Sequence, residues 1–121
     1  MRNIYFFLII IIIIHTVGCN ENGRNTQEIL LTQENVYSYI DQQKEIVDSE
    51  QGNASAHYNL ARSFYFIKEY EKAEHHGRRA TRYDPLNAGY YELLGSLAFA
   101  LERYGDAITE LATSVRIAPE R

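Results

Sequence analysis

Few side chains in this 121-residue sequence belong to types that do chemistry, and their spacing decides what that chemistry is. Cys19 is the only thiol. It has no partner for an internal disulfide, and one thiol is too few for a zinc site built from cysteines. It stands directly behind an apolar run, where a cysteine is a candidate for covalent modification rather than for redox work. After residue 19 the histidines are His57, His75 and His76. Adjacent residues on a helix project about 100° apart, so His75 and His76 leave on different sides, and no pair has the spacing that holds zinc on one helix face. No metal and no cofactor are expected. The serines and threonines have no identifiable general base, and no glycine-rich loop could cradle a phosphate, so the chain is not expected to be an enzyme.

The elements that position Cys19 come next. Residues 1–19 read MRNIYFFLIIIIIIHTVGC, with one positive charge at Arg2, an apolar run over residues 4–14, and a short break before small and β-branched residues. This is the three-part layout of a secretory signal. The run is about half of the ~20 residues that a membrane-spanning helix needs. Thr16-Val17-Gly18-Cys19 resembles the lipobox of bacterial lipoprotein precursors, with Thr16 where leucine is usual. The resemblance implies removal of residues 1–18 and acylation of Cys19, and several acyl chains anchor a protein stably where one does so marginally. Asn20 after the cysteine implies the outer membrane, facing the periplasm, in a host with two membranes. Residues 19–32 are then the lipidated cysteine and a polar tether, most clearly NENGRNT over residues 20–26, which offers nothing to pack.

Charge narrows the partners. The formal net charge of −4 supplies no basic field for phosphates, so nucleic acid is not expected as a partner. Arg78, Arg79 and Arg82 are interleaved with Glu71, Glu74 and Asp84 and read as a solvated helix face. Scarce proline and abundant Ala, Leu, Glu and Tyr favour helices over strands.

A repeat organises the rest. Residues 54–87 align without a gap on residues 88–121, pairing Leu60 with Leu94, Ala61 with Gly95, Tyr70 with Tyr104, Ala73 with Ala107 and Pro85 with Pro119. The period and these residues resemble the tetratricopeptide repeat, a pair of antiparallel helices. The small residues let helix axes approach, while Leu60, Leu94, Phe64, Tyr70, Tyr104 and Leu111 fill the spaces between. Pro85 and Pro119 close the second helix of each unit, and Asn53 and Asn87 stand where a side-chain oxygen caps the next helix. Unit one departs from the pattern at His57, where unit two has Tyr91, and at Gly77, where unit two has Leu111. A glycine inside a helix costs about 1 kcal/mol relative to alanine, so unit one is expected to be the weaker.

The expected fold is all-α: antiparallel helical hairpins stacked as a short α-solenoid, preceded by an N-terminal signal helix and a flexible linker. Helices are expected near 54–67, 70–83, 88–101 and 104–117. Val36, Tyr37, Ile40 and Val47 recur at helical spacing and predict a capping helix over about 33–48, within residues 33–53.

The resemblance implies a groove lined by the first helices of both units, holding a peptide of a partner protein. By register its residues are Tyr58, Asn59, Arg62, Tyr65 and Phe66 with Glu92, Leu93, Ser96 and Phe99. Tyrosine and phenylalanine bury large area at low entropic cost, and Arg62 or Asn59 can hold a backbone or a carboxylate. The expected role is a lipid-anchored adaptor or scaffold in a bacterial envelope assembly. The alternative is a structural module that self-associates: Ile108, Leu111 and Val115 point from the last helix with nothing to cover them, which predicts a homo-oligomer, a partner, or a truncated piece of a longer repeat protein.

Overall fold

The computed structural model describes residues 29–120. The expected signal segment, cleavage junction, Cys19 and the polar stretch over residues 20–26 lie outside the described residues. Five helices follow one another: α1 (Val36–Ser49), α2 (Ala54–Phe66), α3 (Tyr70–Tyr83), α4 (Ala88–Ala100) and α5 (Tyr104–Ile117). No strand occurs among the described residues. Each helix packs on the next, and α2 also touches α4, so the first helices of the two hairpins lie side by side. None of the described helices is long and apolar enough to cross a membrane.

Local chemistry sets the boundaries. The Asn53 side chain accepts from Ala56 N at 2.9 Å and the Asn87 side chain from Gly89 N at 3.1 Å, so both asparagines cap as their positions predict. The helices before the prolines end at Tyr83 and Ile117. The capping helix starts at Val36 rather than near residue 33. Thr32 and Asn35 exchange hydrogen bonds, Thr32 N to Asn35 Oδ1 at 2.7 Å and Asn35 N to Thr32 Oγ1 at 3.2 Å. That closes residues 33–35 as a turn and leaves Asn35 as the residue before the helix.

Both hairpins turn alike. Lys68 (φ 61°) and Glu102 (φ 59°) occupy the left-handed region. In each turn the next two amides reach back over the helix end, Lys68 N to Tyr65 O and Glu69 N to Phe64 O, then Glu102 N to Phe99 O and Arg103 N to Ala98 O. These bonds satisfy carbonyls that a helix terminus otherwise leaves open.

The core runs through the first four helices: Val36, Ile40, Leu60, Phe64, Ala73, Leu94 and Leu97 form one buried cluster. On α1 the buried stripe is Val36, Ile40 and Gln43, whereas Tyr37 is exposed. A residue one place after Val36 lies about 100° round the helix and misses the stripe, which corrects the expectation for Tyr37. Gln43 is buried because its Oε1 accepts from Asn59 Nδ2 at 3.1 Å.

The last helix differs. From α5 only Ala107, Glu110 and Ser114 are buried. Leu111 lies against Gly95 and Tyr104 against Phe99, as expected of residues between helices, yet both keep an exposed side, as do Ile108 and Val115. Glu110 instead receives Arg78 of α3, while Arg103 Nη2 donates to Glu74 Oε2 at 2.7 Å, joining the two hairpins by charge.

Candidate protein-binding groove

The expected groove residues divide by direction. Tyr58 stands with its ring 4.9 Å from that of Tyr90, linking α2 to α4, and the Arg62 guanidinium lies 5.7 Å from the Tyr58 ring centroid. At that range a cation is drawn to the ring face, which holds the long arginine side chain along the aromatic surface. Tyr65 packs on Tyr70 at 5.7 Å and Phe99 edge-on to Tyr104 at 5.4 Å, the same contact made one repeat apart. Phe66, Ser96 and Phe99 are exposed, Phe99 by 65%. The Ser96 hydroxyl bonds its own helix, to Glu92 O at 3.0 Å.

Three residues of the set turn elsewhere. Asn59 faces α1 through Gln43, Leu93 packs against the core cluster, and Glu92 accepts from Ser114 Oγ on α5 at 3.2 Å. Asn59 and Leu93 occupy equivalent positions in the two units. Of the expected set that leaves Tyr58, Arg62, Phe66, Ser96 and Phe99, with Tyr65 partly buried against the core cluster as Leu93 is.

Buried Tyr90 of α4, which backs Tyr58, and Tyr39 of α1, close enough to feel the charge of Arg62, were not among the expected residues. Burial raises the Tyr39 phenol above its ordinary range, opposed by the charge of Arg62 nearby. The helical period had marked α1 as a cap, and nothing in it shows that Tyr39 comes near Arg62.

A polar cluster sits at the junction of α1, α2 and α3. His75 and His76 do diverge, with rings nearly perpendicular, yet His76 meets buried His57, Nδ1 to Nδ1 at 3.0 Å. His57 Nε2 lies 3.1 Å from Gln51 O, and a carbonyl only accepts, so Nε2 carries the proton. Neutral His57 then offers a lone pair at Nδ1, and His76 must donate from its own Nδ1. The rings stack in a row with Tyr83 beyond His57 and Phe64 beyond His76. His57 thus stacks as a flat ring at the position that Tyr91 takes in unit two. Burial, with cationic neighbours, pushes the His76 pKa down to about 4; burial also lowers that of His57, against the Gln51 bond. An open cavity of about 320 Å³ adjoins the pair, with Asp48, His75 and Arg79 in its wall. Among the described residues no group of three or more His, Cys, Asp or Glu could hold a metal ion.

Helical hairpins stacked at a repeat of 34 residues, with small residues at the crossings, define a tetratricopeptide-like fold. No protein-family model matches the chain, and no curated protein matches it. A solved structure does: the crystal structure of MamA, a tetratricopeptide-repeat protein, is similar with a TM-score of 0.68 and 24% identity. The match covers 69% of this chain and 49% of MamA, so the chain spans about half the length of that structure. The likeness supports the fold.

Proposed function

We propose that this protein is an adaptor or scaffold that holds a segment of another protein along the side-by-side faces of α2 and α4. The observation that carries the reading is the aromatic surface of Tyr58, Tyr65 and Phe99 with Arg62 laid over Tyr58. Such a surface gives apolar area with little side-chain entropy to lose and a cationic anchor for a carbonyl or carboxylate. A tetratricopeptide-like stack is a protein-interaction fold, and two open hairpins offer a face rather than the closed pocket that an enzyme uses. Acylated Cys19 would tether this face at a bacterial envelope membrane, on the periplasmic side of the outer membrane.

Capture of envelope proteins by cross-linking tests the groove. Tyr58→Ala with Arg62→Ala should abolish a specific cross-linked partner, while Tyr37→Ala, exposed on α1, should leave it. Equal capture by all three proteins would sink the groove reading. The tether is tested separately by intact mass of membrane-purified protein. Loss of residues 1–18 with added acyl mass, absent from Cys19→Ala, supports it; an unmodified thiol rejects it.

A further inference from the structure

Helices α1, α3 and α5 are each fourteen residues long and begin at Val36, Tyr70 and Tyr104, a constant step of 34 residues. Equivalent positions can therefore be compared directly. The stripe by which α1 lies on α2 is Val36, Ile40, Gln43 and Val47, the first three buried and the last partly so. The same positions on α3 are Tyr70, Glu74, Gly77 and Thr81, and α4 seats at Gly77, where Leu94 packs over it. On α5 they are Tyr104, Ile108, Leu111 and Val115, exposed by 54, 71, 43 and 62%.

Two identities within this stripe indicate what fits. Ile40 and Val47 of α1 recur as Ile108 and Val115 of α5. The surface already shaped to receive an isoleucine and a valine at that spacing is α2, where Ala56, Leu60 and Ser63 are buried. Within one chain α1 occupies it. We propose that the partner of α5 is a second copy of this chain: α5 of one copy seats on α2 of the next in place of α1, so copies join head to tail. On this reading α1 is an internal competitor that restrains assembly, favoured by its covalent attachment, which acts as a millimolar-range local concentration.

Two positions favour α1: at the first, fully buried Val36 gives way to the larger Tyr104 on α5, and at the third a polar pair is lost. Gln43 of α1 bonds Asn59 of α2, but α5 brings Leu111 to that position and would leave the Asn59 amide unsatisfied. Asn59 thus selects α1 over α5. At the equivalent place on α4 stands Leu93, an apolar residue that would suit Leu111. Asn59→Leu should therefore shift the preference toward α5, stranding Gln43 and accepting Leu111.

The test is sedimentation equilibrium of the full chain in density-matched detergent. Asn59→Leu is expected to self-associate about tenfold more tightly than wild type. Its mass should keep rising with concentration, because a head-to-tail contact does not close. Adding Ile108→Glu and Val115→Glu should return it to the wild-type mass. No tightening in a still-helical Asn59→Leu protein, or tightening that survives the two glutamates, overturns the proposal. Should Asn59→Leu lose its helical circular dichroism, hydrogen exchange in wild type decides. Exchange of α1 that rises with protein concentration, and does not in Ile108→Glu/Val115→Glu, supports the proposal; concentration-independent exchange in wild type rejects it.

Discussion

The α2–α3 and α4–α5 hairpins have the same lengths, turns and caps, yet solve one packing problem in opposite ways. Where their helices cross, the first hairpin opposes Ala61 to Gly77 and the second opposes Gly95 to Leu111. A Cβ at Gly95 would fall 2.7 Å from Leu111 Cγ, so the second hairpin fills its crossing with its own leucine. A Cβ at Gly77 would fall 2.8 Å from Leu94 Cδ2, so the first receives a leucine from the next repeat instead. Gly77 was expected to weaken unit one. The structure shows that its missing side chain is the space that lets the units stack, so the helical cost is offset by an inter-repeat contact.

The largest effect should come from making the first hairpin like the second. Gly77→Leu drives a side chain into Leu94 and should destabilise the protein by about 3 kcal/mol in urea melts, the upper range for overpacking. Adding Leu94→Ala should recover part of the loss. A Gly77→Leu protein as stable as wild type would show that Leu94 does not need the space.

Acid should separate the hairpins next. The His57–His76 pair belongs to the first; no histidine occurs in α4 or α5. Native His76 is neutral down to about pH 4, whereas unfolded histidine titrates near 6.5. Between those values the unfolded state binds the extra proton. Stability should therefore be complete above about pH 6.5 and fall as pH drops toward 4. His76→Phe should flatten this part of the profile measured by thermal melts. An equally steep variant would assign the acid sensitivity elsewhere.

Caps give a smaller contrast. Asn53→Ala and Asn87→Ala should each cost about 1 kcal/mol. Asn53 should be the more sensitive, because its Nδ2 also donates to Glu50 Oε2 at 2.8 Å. The smallest effect, and one shared by both hairpins, lies at the left-handed turns. Lys68→Gly and Glu102→Gly should each stabilise by about 0.5 kcal/mol, since glycine adopts that backbone without steric cost but is freer when unfolded. A gain at only one site would break the equivalence of the two turns.

How much of this was legible beforehand follows from the range of the interactions. The 34-residue register placed four helices within a residue of their ends, because prolines, asparagine caps and small crossing residues act over a few positions. The same register brought Tyr58 and Arg62 to one face. It did not show the contacts of Asn59, Leu93 and Glu92, since repeat position alone does not say whether a half-buried side chain leans toward the previous helix, its own hairpin or solvent. It also missed the His57–His76 contact, although His57 at an aromatic position was the one signal available.

What the amino-acid sequence determined by itself was therefore periodic and local: helices, their limits, their order, and an apolar stripe on α5. Tertiary structure alone decided which gaps are filled and by whom. Gly77 is empty because Leu94 arrives from another repeat, Gln43 is buried because Asn59 meets it, and the His57 pKa is lowered because the packed helices bury the ring, against the bond to Gln51. Each of these is a property of two surfaces brought together, and no single stretch of chain carries it.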